Sequence, residues 1–163
     1  MRNLVTPLFS ILSAALLAIL VAPALHAQQM PAPTVAVGEV VTAPFPGFPT
    51  DAQPVLMAAL LKARGLTRMT ETIFENRFRQ APELCRLGAD VTVKGRVAEI
   101  WGVERLRGAT LTATDLRGGA AMVVAGLAAE GETLVCDDGH ITRGYEGLDR
   151  RLRALGADVY LEY

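Results

Sequence analysis

The chain is short of the residues that build metal and redox sites: two cysteines, two histidines and one tryptophan among 163 residues. Cys85 and Cys136 lie far apart with no C-x-x-C partner, and neither His26 nor His140 completes a ligand spacing with them. No metal site is indicated and no cofactor is expected. The cysteines read as two small buried apolar groups; a disulfide between them stays open as an alternative for an exported chain. Charge of one sign is lacking too. Sixteen Lys and Arg against 17 Asp and Glu leave a net charge of −1 and no basic stripe, which argues against a nucleic-acid partner.

What the chain has in excess is apolar residues, 51% of the total, and its N-terminus inflates that figure. Residues 1–27 carry one early cation, Arg2, then an apolar run from Leu8 to Leu25, then small residues around Ala22-Pro23-Ala24 and Ala27. That is the layout of a secretory signal peptide. The alternative is an uncleaved anchor, because the run approaches the ~20 residues that span a bilayer. Residues 28–42, rich in Pro, Ala and Val, read as a linker into an edge strand. The globular part is expected over 43–163, long enough for one small core.

That part repeats itself. Pro49-Thr50-Asp51 opens a run through Arg77 to Leu87-Gly88-Ala89-Asp90-Val91. Thr114-Asp115-Leu116-Arg117 opens a second run, at nearly constant offset, through Arg143 to Leu155-Gly156-Ala157-Asp158-Val159. In the first unit, about 43–108, Thr50 or Asp51 can cap a helix that carries Pro54 in its first turn and stops at Gly65. Thr67 to Phe74 alternates as a strand, Pro82 opens a short helix closed by Gly88, and strands follow at Ala89–Val93 and Val97–Trp101 around Lys94-Gly95-Arg96. In the second unit, about 109–163, the spacing predicts a strand at Ala109–Ala113 and a helix capped by Asp115 and ended by Gly131. A strand at Thr133–Cys136, a helix over Tyr145–Leu155 and a last strand over Asp158–Glu162 complete it. Alternating strands and helices with short connections define an α/β fold made of repeated units, which bury their apolar faces by stacking.

The junction residues have two readings each. Asp51 and Asp115 are either helix caps, worth about 1 kcal/mol, or carboxylates placed to act as a general base on a hydroxyl. Arg77, Arg117 and Arg143 are either solvated charges or anion ligands. Arg143 stands beside Gly144 at the expected opening of a helix, where backbone amides and guanidinium together favour phosphate or carboxylate. Trp101 reads as core; Glu75 and Glu146 read as surface or capping carboxylates.

Four stretches stand in order at natural spacing: Phe48-Pro49-Thr50-Asp51, Glu71-Thr72-Ile73-Phe74-Glu75-Asn76-Arg77-Phe78, Ala113-Thr114-Asp115-Leu116-Arg117 and Arg143-Gly144-Tyr145-Glu146. Together they closely resemble the C-terminal part of the UDP-N-acetylglucosamine 1-carboxyvinyltransferases, the enolpyruvyl transferases of peptidoglycan synthesis. The resemblance covers about Val41 to Tyr163. The sister enolpyruvyl transferases of the shikimate pathway share the architecture, but their motifs are less alike.

The resemblance implies an inside-out barrel fold of repeated βαβαββ-type units, with about two of the family's six copies present. It implies transfer of enolpyruvyl from phosphoenolpyruvate to the 3-hydroxyl of UDP-N-acetylglucosamine in a cleft between two domains. By position, Asp51 matches the carboxylate that holds the acceptor hydroxyl. Ile73 matches the residue whose backbone contacts the nucleotide sugar, with Phe74 beside it. Arg77, Asp115 and Arg143 match cleft residues, the arginines facing phosphoenolpyruvate, and Arg117 matches a neighbouring arginine.

The N-terminal domain of the family, with its catalytic lysine and asparagine and the loop bearing the proton-donating cysteine, has no counterpart here; nor does the first copy of the C-terminal domain. Neither Cys85 nor Cys136 lies in a matching motif. Family members are cytoplasmic, so the resemblance implies the cytoplasm whereas residues 1–27 imply export or membrane association. The expectation is a partial enolpyruvyl transferase, inactive alone unless the other domain is supplied elsewhere. A non-catalytic nucleotide-sugar-binding module and a structural, exported remnant are the alternatives.

Overall fold

A computed structural model describes residues 17–22 and 38–162. In the first unit, β2 (Glu39–Val41) lies parallel to β3 (Leu66–Thr70). β5 (Val97–Trp101) runs antiparallel to β3, and β4 (Asp90–Lys94) pairs antiparallel with β5 at the far edge. One 3-10 turn, Thr50–Ala52, leads directly into helix α1 (Gln53–Leu60), whose Pro54 sits in the first turn, where its missing N–H removes no helical bond. Helix α2 (Ala81–Arg86) stands between β3 and β4 in the chain.

The second unit has the same sheet pattern. β7 (Thr110–Thr112) lies parallel to β9 (Thr133–Asp137), and β10 (Asp158–Glu162) forms the opposite edge. The place that β5 holds in the first sheet is taken in the second by β1 (Leu17–Ala22), antiparallel to both β9 and β10. Six residues of the leader-like segment are therefore a strand inside a sheet. The rest of that segment, and the linker as far as residue 37, lie outside the described residues. Among the described residues no helix is long and apolar enough to cross a membrane.

Helix α3 (Leu116–Leu127) packs against α1, and a small parallel pair, β6 (Leu106–Arg107) with β8 (Ala129–Glu130), ties the units together. The joint core is fully buried at Met57, Leu61, Met69, Leu84, Ile100, Leu111, Met122 and Ile141. Glu83 on α2 accepts the Thr112 N–H at 2.9 Å, a polar link across the same joint. The α/β class and the repeated arrangement are as the sequence leads one to expect.

Four local expectations need correction. Trp101 is not core: it is 50% exposed, because Ala98 and Ile100 take the inward positions of β5 and the pleat turns residue 101 outward. The cysteines are not buried apolar groups; Cys85 is exposed, Cys136 half-buried, and both are free thiols. The strand expected through Phe74 ends at Thr70. The helix expected over Tyr145–Leu155 is shorter, α5 (Leu148–Ala154), starting after Gly147 in the left-handed region at φ 60°, and a separate short helix, α4 (His140–Gly144), precedes it.

Because β1 bridges β9 and β10, a chain lacking residues 1–27 is predicted to leave two facing strand edges unpaired. Hydrogen exchange should then quicken across Thr133–Asp137 and Asp158–Glu162, with a fall in thermal midpoint. Identical exchange in the shortened chain would refute the pairing.

Candidate functional site

Asp51 sits inside the 3-10 turn and makes no side-chain cap bond. Its carboxylate, 61% exposed, instead accepts two guanidinium groups on Oδ1: Nη2 of Arg77 at 2.7 Å and Nε of Arg117 at 2.5 Å. The capping reading thus fails for Asp51. It holds for Asp115, the N-cap of α3, which accepts the Arg117 and Gly118 N–H groups at 3.0 and 2.9 Å. The hydrogen bond to Asp51 raises the pKa of Arg117 above its ordinary value, outweighing partial burial, and the charges of Asp51 and Asp115 and the nearby Tyr145 add to it. One carboxylate from the first unit therefore holds one arginine from each unit.

Arg77 comes from the loop between β3 and α2. Asn76 precedes it in the left-handed region at φ 53°, a conformation its short polar side chain tolerates. The Arg77 guanidinium stacks over the Phe74 ring, 5.0 Å from its centroid, and Phe74 is half-exposed on the same face. Its Nε is buried without a partner.

Glu71 shapes that loop. It is 1% exposed, and its Oε1 accepts the N–H groups of Ile73 at 2.8 Å and Phe74 at 3.1 Å while Oε2 accepts the Thr50 hydroxyl at 2.8 Å. Capturing those two amides offers the backbone an alternative to the ladder, which is why β3 stops before Phe74. Burial pushes the Glu71 carboxyl up, but the bonds from Phe74, Thr50 and Ile73 together hold its pKa below the usual carboxylate value. Thr72 fastens the other side, its N–H donating to the Thr42 hydroxyl at 2.9 Å and its hydroxyl to the Thr42 carbonyl. Arg96 closes the rim by donating to the Thr72 carbonyl and to Glu75, each at 3.1 Å. Glu75 is thus a surface ion-pair carboxylate, as read from the sequence.

Arg143 falls elsewhere than expected. It is exposed in the last turn of α4, not at a helix opening, because the Asp137 side chain accepts the His140 and Ile141 N–H groups and starts the helix earlier. Among the described residues no ion pair joins it to the Asp51 cluster. The chain just after it lies nearer, with Tyr145 close enough to act electrostatically on Arg117. A Cβ on Gly144 would stand 2.5 Å from the Leu116 side chain, so the end of α4 lies close over the start of α3.

The structure therefore brings Asp51, Arg77 and Arg117 into direct contact, with Phe74 beneath Arg77 and Ile73 tied through Glu71 to Thr50. Asp115 stands beside Arg117, whereas among the described residues no hydrogen bond or ion pair brings Arg143 to the group. The sequence reading missed Glu71, Thr50 and Arg96. A usable signal existed for Glu71: it and Asp137 each end the run that follows the glycines Gly65 and Gly131. The site is an open face; a concavity of about 500 Å³ lined by Lys62, Arg64, Gly65, Gly102, Val103 and Glu104 lies apart from it. Such a face can hold an anion on two guanidinium groups and present a carboxylate to a hydroxyl beside it.

The sequence and the fold both have known relatives. The sequence matches the family profile described as EPSP synthase (3-phosphoshikimate 1-carboxyvinyltransferase) over residues 10–152, and the chain belongs to that family of enolpyruvyl transferases. It is similar to UDP-N-acetylglucosamine 1-carboxyvinyltransferase 3 of Symbiobacterium thermophilum, 56% identical over 121 residues that make up 74% of this chain and 28% of the relative. The UDP-N-acetylglucosamine 1-carboxyvinyltransferase of Zymomonas mobilis is 57% identical over 118 residues, 72% of this chain and 28% of the relative. Among solved structures, the enolpyruvyl transferase NikO from Streptomyces tendae superposes with a TM-score of 0.70 at 36% identity, over 79% of this chain and 30% of that one. EPSP synthase from Acinetobacter baumannii, at 18% identity and a TM-score of 0.60 over 68% of this chain and 28% of that one, shares the fold. The chain spans less than a third of the length of these relatives.

The two aspartates are predicted to separate on substitution. Asp115→Ala should cost about 0.5–2 kcal/mol as a lost cap, while Asp51→Asn, whose ion pairs are solvent-screened, should cost under about 1 kcal/mol. Urea unfolding measures both, and a larger cost for Asp51→Asn than for Asp115→Ala would contradict the division of roles. Glu71 generates a second expectation. A carboxyl with a lowered folded pKa contributes stability that is fully present above its unfolded value, about 4.3, and lost as pH falls through the lower folded value. The stability gap between native and Glu71→Gln chains should shrink as pH falls below that point in acid titrations.

Proposed function

We propose that this chain forms one wall of an enolpyruvyl transferase site that takes UDP-N-acetylglucosamine and phosphoenolpyruvate. The observation that carries the reading is the Asp51 carboxylate held between Arg77 and Arg117, at the positions where the resemblance locates acceptor hydroxyl and anion. Identity of 56–57% with UDP-N-acetylglucosamine 1-carboxyvinyltransferases supports the nucleotide sugar over a shikimate-type acceptor.

In this reading Asp51 accepts a hydrogen bond from the sugar 3-hydroxyl and takes its proton as the oxygen attacks C2 of phosphoenolpyruvate and the methylene gains a proton. Loss of a methyl proton and of inorganic phosphate from that adduct then restores the double bond on the sugar ether. Arg77, Arg117 and Arg143 draw the phosphate and carboxylate of phosphoenolpyruvate to the same face. The substrate anion competes with Asp51 for Arg77 and Arg117, freeing the carboxylate when the anion arrives. Ile73 offers backbone to the nucleotide sugar, Phe74 flanks it, and Asp115 holds the start of α3 with Arg117 in place. The protonation of the enolpyruvyl methylene and closure over the reacting atoms call for groups that this wall does not itself supply. Peptidoglycan precursor synthesis, in the cytoplasm, is the process to which this reaction belongs.

Titration calorimetry with UDP-N-acetylglucosamine on native and Asp51→Asn chains tests the reading. Binding is expected in the native chain and weakened about tenfold or more in the variant, as fits the loss of a charge-assisted bond of about 1.5–3 kcal/mol. No heat, or equal heats, sinks it.

A further inference from the structure

Glu71 is a carboxylate that none of the expected site roles uses, yet its two oxygens reach both strands of the site. Oε1 holds the amides of Ile73 and Phe74; Oε2 holds the hydroxyl of Thr50, the residue next to Asp51. Twenty-one residues separate Thr50 from Glu71; this carboxylate ties the Ile73 and Phe74 amides to the Thr50 turn, beside the Asp51–Arg77 ion pair that joins the same two segments further along the loop. We infer that Glu71 is a positioning residue that couples the Asp51 carboxylate to the Ile73–Phe74 backbone, so that the acceptor-hydroxyl contact and the nucleotide-sugar contact form as one unit.

The duplication supplies an internal comparison. Asp137 stands at the counterpart position, fully buried, with Oδ1 accepting the His140 N–H at 2.8 Å and Oδ2 the Ile141 N–H at 3.0 Å. Both oxygens of the shorter side chain are spent on backbone ahead of Arg143. The hydroxyl of Thr114, counterpart of Thr50, is buried with no hydrogen-bond partner. The device of a buried carboxylate gathering loop amides is thus built twice. Only in the first unit does the extra methylene of glutamate let the second oxygen reach the threonine beside the aspartate. A carboxylate needed only to shape its own loop would not require that reach, as Asp137 shows. Rigid placement of two contacts by one group is how preorganisation raises affinity, since less order is imposed at binding.

The inference rests on the nucleotide-sugar reading, and its test separates the two. Hydrogen exchange without ligand is measured first: the Ile73 and Phe74 amides, protected in the native chain, should exchange faster in Glu71→Gln, while strand amides of β3 are unchanged. Calorimetry with UDP-N-acetylglucosamine follows on Glu71→Gln, Asp51→Asn and the double variant. Glu71→Gln is expected to weaken binding about five- to tenfold, the scale of one or two lost hydrogen bonds. The double variant should lose clearly less than the sum of the two single losses, because the two contacts form as one unit and Asp51→Asn has already uncoupled them; a merely structural role gives additive losses. Thr50→Val, which leaves the loop amides bonded, should also weaken binding and keeps the test decisive if Glu71→Gln does not fold. Unchanged exchange at Ile73 and Phe74, native affinity in Glu71→Gln or Thr50→Val, or full additivity overturns the inference. Absence of binding by the native chain overturns the nucleotide-sugar reading, and the exchange result then decides alone whether Glu71 holds the loop.

Discussion

A carboxylate taken out of water must collect hydrogen-bond donors, and where it finds them decides the shape of the surrounding chain. Glu71 finds two backbone amides just ahead of it and threonine hydroxyls, Thr50 foremost, on other elements. Almost everything distinctive about the candidate site follows from that demand. The strand β3 is cut short, the Ile73–Phe74 backbone turns outward, and the loop then delivers Arg77 over Phe74 towards Asp51. The turn at Thr50–Ala52 is drawn to the same point from the other side. Asp51 is left free of capping duty, so its oxygen is available to two guanidinium groups.

The two units use similar residues for different ends. Asp115 and Asp51 occupy matching places, yet one spends its oxygens on helix amides and the other on arginines. What separates them is the local backbone: an extended N-cap before α3 against a 3-10 turn before α1. The second unit also borrows its third strand in sheet order, Leu17–Ala22, from the far end of the chain. The apolar character that gives this segment its leader-like pattern equally suits a strand paired on both sides.

Much of the fold was legible because periodicity, glycine stops and turn residues agree with one another there. Val97–Trp101 has the expected bounds, and α3 begins directly after its Asp115 cap. The misses share a cause: a side chain that captures backbone amides has no periodicity to betray it. Glu71 ended a strand that the alternation of Thr67 to Phe74 continued, and Asp137 started a helix before Tyr145. That second capture moved Arg143 from an expected helix opening to a helix end. Gly147 then broke a run that reads as continuous from Tyr145 to Leu155. Trp101 was misplaced for a different reason, since hydrophobicity alone does not say which side of a pleat faces the core. Of the site, the Asp51, Arg77 and Arg117 grouping was legible through resemblance, and the carboxylate that organises it was not.

Amide-resolved magnetic resonance during titration with UDP-N-acetylglucosamine tests the central claim most directly, since it reports where a ligand touches the chain. The account predicts shifts concentrated at Asp51, Ile73, Phe74, Arg77 and Arg117, saturating together at one affinity. Shifts confined to other surfaces, such as the concavity beside Lys62 and Glu104, or no shifts at all, would contradict it.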